Sequence, residues 1–344
     1  MAAHLTAVLW AGALLGLAYG ALAQWSRFCL LRGLLQQWSG QDGRLLRAFA
    51  LALAVAVPAT QALAAWAGID LNQSLYRQGN AALPLILLGG VLFGVGMTLA
   101  NACAARSLVL LGTGNLRSLT VLLVLGVSAY MTLSGVLAPL RVALDQSLRV
   151  ALPSGSLPGL LGAAGVAQPP ATWLVTAALS LALLAFSLGH RPLRQSPRHW
   201  LGGLLIGLLI AAGWWITGVL GADDFEPVRL TSLTFVAPVG ESLQYLMLST
   251  GSTLSFAVVT VGGVLVGSFL RALLAGEFCW QGYESPRQMG RSLCGAALMG
   301  VGGVLSLGCT LGQGLTGFST LAVTSPVALA GIVLGARIAW RRLS

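Results

Sequence analysis

The amino-acid sequence predicts an all-α polytopic membrane protein with about nine transmembrane helices, inverted internal repeats and short broken or re-entrant helices. The 344 residues are 56% hydrophobic and only 8% charged, whereas about 25% of the residues in a soluble domain are charged. Nine apolar segments are long enough to cross a hydrocarbon core, which takes roughly 17–25 residues. The 45 glycines suit both close helix packing in lipid and short interrupted helices.

The first predicted span starts near the N-terminus, and we expect it to be retained. No Lys or Arg precedes this apolar run, although a cleaved signal peptide usually begins with positive charge. The whole chain, residues 1–344, is expected to form a single transmembrane domain. The nine spans are expected at residues 5–24, 45–67, 84–104, 117–138, 171–189, 200–220, 253–275, 290–309 and 325–341.

The distribution of arginine predicts the orientation in the membrane. All 19 basic residues are arginine, and 15 of them fall in the five inner segments if the N-terminus lies outside. Six acids, including Asp223, Asp224 and Glu226, then lie outside. Cytoplasmic loops are enriched in arginine and lysine, so we expect a cytoplasmic C-terminus at the cell inner membrane. The net charge of +10 is spread over short loops; it does not indicate nucleic acid, although it also favours anionic substrates.

Two segments that end in cysteine share one spacing and indicate a duplication. Gly94 to Cys103 and Gly300 to Cys309 both read G-x-G-x6-C. In the predicted orientation these two spans cross the membrane in opposite directions, so the repeats are inverted. Inverted repeats are typical of transporters, whose substrate path lies between the repeats. We expect a first repeat, an outer loop with a connector helix, and a second repeat at residues 1–140, 141–199 and 200–344.

Two outer loops are longer than the others. Residues 139–170 contain five prolines and are expected to be irregular. The amphipathic stretch Thr231–Leu248 is expected to form a short interfacial or re-entrant helix.

The five cysteines are the candidates for the functional chemistry. Their odd number and the lack of a C-x-x-C motif predict no disulfide framework. Cys103 and Cys309 are matched in the duplication, and Cys29 ends the first span. The other interpretation of each is a buried, inert thiol. Cys279 and Cys294 have no counterpart and are interpreted as structural or incidental.

A row of thiols along an apolar path suits a soft sulfur-containing anion. A thiol donates a weak S–H hydrogen bond and accepts one at sulfur. Sulfate or phosphate would call for arginine or lysine inside the membrane, and the interiors of the predicted spans contain neither. No metal ligand set, cofactor or catalytic residue is expected, because the three histidines lie outside the apolar segments.

Short helix N-termini are expected to offset the charge of the anion, because each carries partial positive charge and free N–H groups. We expect such helices to begin in the glycine-rich runs that follow Cys103 and Cys309. Gly308 and Gly312 would let the backbone approach the anion, and Asn115 and Gln313 would add amide donors. The other interpretation of Asn115 and Gln313 is that they are turn and loop residues.

These motifs resemble the YeeE/YedE family of inner-membrane sulfur-compound transporters. The most specific match is Gly308-Cys309-Thr310-Leu311-Gly312-Gln313-Gly314-Leu315-Thr316-Gly317; the segments around Cys103 and Cys29 are similar to the other cysteine motifs of the family. The resemblance covers essentially the whole chain. It implies an hourglass-shaped, pseudo-symmetric transporter in which thiosulfate is relayed by hydrogen bonds to three thiols, here Cys29, Cys103 and Cys309. Ala102 and Arg106 depart from it, because the family usually has glycine at both places.

We therefore expect an importer of thiosulfate or a related sulfur-containing anion, not an enzyme, in the lipid bilayer. A cytoplasmic sulfur-acceptor protein is a candidate partner. One alternative is a membrane thiol enzyme, a sulfurtransferase or persulfide relay, with Cys103 as nucleophile and a thiol pKa lowered by Arg106. A second alternative is a non-transporting membrane anchor for a sulfur-handling protein.

Overall fold

The computed structural model describes residues 3–163, 165, 167–223 and 226–343. Asp224, which was expected outside, and the first two residues of the chain are not among them. The described residues form α1 (Ala3–Ser26), α2 (Leu30–Trp38), α3 (Arg44–Ala67), β1 (Asn80–Ala81), α4 (Leu83–Ala100), α5 (Ala104–Gly112), α6 (Leu116–Leu133), α7 (Ala138–Ser147), β2 (Val150–Ala151), α8 (Leu157–Ala163), α9 (Gln168–Leu188), α10 (Arg191–Arg194), α11 (Pro197–Trp215), α12 (Val236–Met247), α13 (Phe256–Leu274), α14 (Pro286–Leu305) and α15 (Thr324–Leu343). Short 3-10 or π turns occur at Leu71–Gln73, Ile216–Leu220 and Gly312–Gly317.

The structure confirms an all-α polytopic fold. Within the described ranges, seven helical stretches are long and apolar enough to cross a membrane. The two remaining predicted spans coincide with α14 and α15, which are 20 residues each and carry two and three arginines. The count of nine spans therefore stays a prediction. The seven stretches are His4–Trp38, Arg44–Ala67, Leu83–Gly112, Leu116–Leu133, Gln168–Leu188, Pro197–Leu220 and Phe256–Leu274.

Two of these stretches are interrupted helices, and the interruptions lie at cysteines. Helix α2 begins directly after Cys29, and α5 begins directly after Cys103. The prediction that a short helix begins in the glycine-rich run after Cys103 was wrong, because Gly112 ends α5 instead. A Cβ at Gly112 would overlap Ser268 of α13. This glycine serves close packing rather than a helix start.

The long helices pack in pairs through glycines. Helix α1 lies against α13, α3 against α11, α4 against both α14 and α15, and α6 against α14. A Cβ at Gly16 or Gly94 would overlap a backbone carbonyl of the neighbouring helix. If α1 is exchanged with α11, α3 with α13, α4 with α14 and α6 with α15, every pair becomes one of the pairs named above. The predicted duplication leads to this symmetry of helix contacts. The inverted repeats and their bounds stay predictions.

The peripheral segments differ in part from the prediction. The segment 139–170 is not a wholly irregular loop, because it contains α8, most of α7, the strand β2 and the start of α9. The strand β2 pairs antiparallel with β1, Asn80 opposite Ala151. The amphipathic stretch Thr231–Leu248 is helical in part, because α12 covers Val236–Met247 whereas residues 231–235 are not helical. Helix α9, the predicted connector, packs on α3 and exposes large apolar side chains such as Trp173 and Phe186.

Candidate functional site

Cys29, Cys103 and Cys309 lie in one buried cluster at the centre of the protein. All three belong to the main hydrophobic core, with exposed fractions of 4%, 4% and 0%. All five cysteines of the chain are free thiols, and Cys279 and Cys294 are exposed. The structure therefore separates the three cysteines predicted for the path from the two predicted to be structural or incidental.

Each buried cysteine follows the same backbone feature, which we call the joint: the residue two positions before the cysteine has a left-handed conformation. These residues are Arg27, Asn101 and Leu307, with φ of 51°, 57° and 60°. This conformation costs roughly 1–2 kcal/mol for a residue that carries a Cβ. Strain that recurs at one position marks a functional constraint more often than chance. The repetition therefore supports these three cysteines as one kind of site.

The same joint also starts a new helical turn at each cysteine. The carbonyls of Cys29, Cys103 and Cys309 accept hydrogen bonds from the amides four residues later, at 3.2, 2.8 and 2.8 Å. The first N–H groups of a helix have no intrahelical acceptor and carry partial positive charge. Each thiol therefore lies where the backbone favours negative charge.

The thiol cluster brings the two halves of the chain together. The thiols of Cys29 and Cys103 interact with each other, and Cys103 also interacts with the side chain of Thr310. The sulfur of Cys309 accepts a hydrogen bond from the backbone N–H of Gly312 at 3.3 Å. The resulting sequence of polar groups runs from Cys29 through Cys103 to Thr310 and Cys309.

Arg106 lies beside this cluster, which corrects one expectation. The sequence analysis found no arginine in the interiors of the predicted spans, because Arg106 falls just beyond one of them. In the structure Arg106 is on α5, is only 7% exposed, and interacts electrostatically with Cys29 and Cys103. A cation is therefore buried at the path.

Two openings lie near the cluster, one at Cys309 and one at Cys29. A large cavity of about 950 Å³ is lined by Tyr76, Thr234, Leu307 and Gly308 among others. It therefore reaches the residue next to Cys309. A second opening of about 540 Å³, which we call the arginine cleft, is lined by Arg27, Arg32, Gln36, Gln41, Asp42, Arg44, Leu45 and His199. The arginine cleft begins two residues from Cys29.

Ion pairs and hydrogen bonds organise the arginine cleft. Glu277 accepts a hydrogen bond from Gln24 at 3.0 Å and lies 3.7 Å from the guanidinium of Arg27. Arg44 donates hydrogen bonds to Asp42, and this interaction holds the pKa of the Asp42 carboxyl below its usual range. The cleft remains predominantly basic and suits an anion.

Gln313, Gly308 and Gly312 lie at the cluster, whereas Asn115 does not. The buried Gln313 amide donates to the Ser306 carbonyl at 2.7 Å and accepts from the Ser325 hydroxyl at 2.8 Å. Its side chain thus shapes the loop that carries Cys309. Asn115 caps α6 and donates to Gln281 at 2.9 Å. It lies three residues beyond the far end of α5, a helix of nine residues that is roughly 13 Å long at 1.5 Å per residue.

Several polar side chains of the site were not predicted from the sequence. Tyr19 interacts with the thiols, and Thr310 interacts with Cys103. Arg106, predicted only as part of the enzyme alternative, also interacts with the thiols. Tyr76 bonds Thr234 at the wall of the large cavity. Thr310 was within reach of sequence reasoning, because it follows Cys309 directly. The tyrosines had no comparable signal, since they come from distant parts of the chain.

Among the residues that the structure describes, no group of three or more His, Cys, Asp or Glu is placed to hold a metal ion. His4 and His199 lie in the first turns of α1 and α11, so the expectation that all histidines lie outside the apolar spans was wrong for these two. His4 lies 3.6 Å from Asp223.

Comparison with known proteins identifies close similarity over nearly the whole chain. A protein named thiosulfate transporter TsuA from Escherichia coli (strain K12) is 25% identical over 339 residues, covering 94% of this chain and 91% of that protein. A protein of the same name from Spirochaeta thermophila is 26% identical over 336 residues, covering 95% of this chain and 97% of that protein.

A family model described as sulphur transport matches residues 25–338. This match includes all three buried cysteines and both halves of the thiol cluster. Family and relatives are transporters, so the protein is a transporter rather than the membrane thiol enzyme considered above. The chain belongs to the sulphur transport family, the YeeE/YedE family that its cysteine motifs resemble.

Proposed function

We propose that this protein imports thiosulfate or a related sulfur-containing anion across the cell inner membrane, relaying it by hydrogen bonds between the thiols of Cys309, Cys103 and Cys29. One observation carries the proposal. Three buried thiols from both halves of the chain meet in one cluster, between a large cavity and the arginine cleft. Two relatives named thiosulfate transporters support the choice of substrate.

The relay follows from the chemistry of the groups along the path. A dianion loses most of its hydration in an apolar core, and an unpaired charge is very costly there. The N-termini of α2 and α5 offset part of this cost, because each contributes up to about half a positive charge. The thiols donate weak S–H bonds that break readily, so the anion passes on instead of remaining trapped.

Direction and symmetry complete the proposal. The arginine asymmetry supports a large cavity that opens outside and an arginine cleft that opens to the cytoplasm. The helix pairs support inverted repeats at residues 1–140 and 200–344 around a connector at 141–199. The backbone of Gly308 and Gly312 and the amide of Gln313 complete the proposed substrate-binding set, which no longer includes Asn115 because that residue lies away from the cluster. A cytoplasmic sulfur-acceptor protein would receive the anion at the basic cleft.

Substitution of the thiols in proteoliposomes tests the relay. We expect Cys103→Ala to abolish thiosulfate uptake, because Cys103 interacts with groups on both sides. Cys29→Ala and Cys309→Ala should impair uptake less. Cys103→Ser should retain some uptake, since the hydroxyl still donates, whereas persulfide chemistry would lose all activity. Uptake of thiosulfate, sulfite, sulfide and sulfate by each variant is the measurement.

The exposed cysteine provides the matched control for this series. Cys294→Ala should transport like the wild type, because Cys294 is exposed and apart from the cluster. Wild-type uptake by Cys103→Ala, at equal amounts of folded protein, would refute the relay. Uptake that is absent from the wild type with all four anions would refute the proposed function itself.

A further inference from the structure

Arg106 is a buried cation for which the fold provides no balancing carboxylate. Its Nε and Nη1 atoms have no hydrogen-bond partner among the described residues. None of the ion pairs within the described ranges includes it. A buried, unpaired charge is strongly unfavourable, so the protein without substrate keeps Arg106 at a cost.

The groups around Arg106 also favour the binding of an anion. The groups that act on it electrostatically are Cys29, Cys103, Tyr19 and a second cation, Arg32. Arg106 is also the third residue of α5, where the helix N-terminus adds positive potential. Two cations and a helix terminus therefore converge on the Cys29–Cys103 thiol pair.

We propose that Arg106 makes the thiol pair a resting site for a single dianion with an oxygen end and a sulfur end. The guanidinium binds the oxygen end through two parallel N–H donors, a geometry that arginine favours for oxyanions. The thiols of Cys29 and Cys103 contact the sulfur end. This site deepens the proposed function and rests on it.

The site predicts that tighter binding of the anion is accompanied by slower release. A fixed cation lowers the free energy of the bound anion, so binding tightens and release slows. The family that the sequence resembles usually has glycine at this position, so the charge of Arg106 departs from the usual pattern of the family. Arg106 thus selects anions that carry oxygens, such as thiosulfate and sulfite, over hydrosulfide.

Melting and binding measurements on purified protein in detergent test the site. The probe is sodium thiosulfate, with radiolabelled thiosulfate for equilibrium binding. We expect Arg106→Gln to weaken binding about tenfold or more, as for the loss of a charge-assisted hydrogen bond. Without thiosulfate the same variant should melt at a higher temperature than the wild type, because an uncompensated charge has been removed. With thiosulfate it should gain little further stability.

Two further variants make these results specific. Arg342→Gln removes an exposed arginine at the end of α15 and should leave binding and melting unchanged. Arg106→Lys keeps the charge but loses the two-donor fork, so it should bind more weakly than the wild type and more tightly than Arg106→Gln. Should Arg106→Gln fail to fold, wild-type affinity in Arg106→Lys would overturn the proposed two-donor contact.

The outcomes separate this inference from the proposed function. Wild-type thiosulfate affinity in Arg106→Gln, with uptake intact, overturns the resting site and leaves the transporter proposal standing. A lower melting temperature with unchanged affinity makes Arg106 a structural residue and also overturns the site. A wild-type protein that neither binds nor transports thiosulfate overturns both proposals.

Discussion

Cys309 differs from Cys29 and Cys103 in the contact that its sulfur makes. Its sulfur accepts a hydrogen bond from the Gly312 N–H at 3.3 Å, whereas the other two thiols interact with each other. A sulfur that already accepts a backbone hydrogen bond leaves its S–H group available to donate. Cys309 is also the cysteine beside the large cavity. These properties suit it to make the first contact with an incoming anion.

The first prediction concerns Gly308, which links Cys309 to the large cavity. We expect Gly308→Ala to lower uptake severalfold at constant protein amount. An added Cβ would lie 3.1 Å from both Cγ and N of Gln313, tight enough to displace the loop that carries Cys309. Proteoliposome uptake at matched expression measures the effect.

A glycine with open surroundings provides the control for this prediction. Gly262 on α13 has no atom within 4 Å of an added Cβ. Gly262→Ala should leave uptake unchanged and slightly raise the melting temperature, since alanine favours a helix over glycine by about 1 kcal/mol. Gly12 is a poorer control, because an added Cβ would lie 2.7 Å from Phe256. Equal uptake losses at Gly308 and Gly262 would contradict a role for Gly308.

At the scale of elements, the joints before the cysteines end one helix and start another. At two of them the N–H that follows the left-handed residue reaches back five residues, Phe28 to Ala23 at 3.2 Å and Gly308 to Gly303 at 2.8 Å. This is the Schellman arrangement that satisfies carbonyls at a helix end. The joints thus terminate the long helices and orient the thiols with few side-chain contacts.

Asn101 tests the joint, because its side chain is exposed. Asn101→Gly should keep full uptake, since glycine adopts the left-handed conformation readily. Asn101→Val should lower both uptake and melting temperature, because a β-branched residue with positive φ is strongly disfavoured. Uptake and thermal unfolding of the two variants are compared. Identical behaviour of Asn101→Val and Asn101→Gly would show that the joint does not position Cys103.

The elements show which parts of this fold a sequence can predict. Within the part of the chain that the structure describes, each of the nine predicted spans overlaps a long helix, because an apolar run of that length favours a helix in lipid. The joints could not be predicted, since neither Arg27 nor Leu307 is a residue type that favours the left-handed conformation found there. The burial of Arg106 was missed as well. In the sequence, a charged residue just beyond an apolar run is interpreted as a loop residue, because the short helix α5 is not evident there.

At the scale of the whole molecule, packing between the two halves holds the path together. Helix α4 contacts both α14 and α15, and α13 contacts both α1 and α5. Cys103 and Cys309 therefore meet where the halves join. Close backbone packing through glycine fixes these contacts, so the scaffold is rigid around the thiols.

The orientation prediction can be tested with introduced cysteines. Residues 194 and 342 are expected in the cytoplasm, and residue 147 outside. In a background that lacks the exposed Cys279 and Cys294, an impermeant thiol reagent added to intact cells should label Ser147→Cys but neither Arg194→Cys nor Arg342→Cys. Ser147 is exposed, whereas Gly155, which is also expected outside, packs against Arg77. Outside labelling of position 194 would reverse the orientation and the direction of transport.

The joints have a mechanical consequence. Helix α2 is nine residues long, so it is a lever of roughly 13 Å with its pivot at Cys29. Turning such a lever by roughly 10° displaces its tip by about 2 Å and barely moves the pivot. Arg32 and Gln36 sit along the α2 lever and form one wall of the arginine cleft. A turn of α2 would therefore widen or narrow the arginine cleft while the sulfur of Cys29 stays in place. Opening of the cleft and transfer of the anion between thiols would then be separate events.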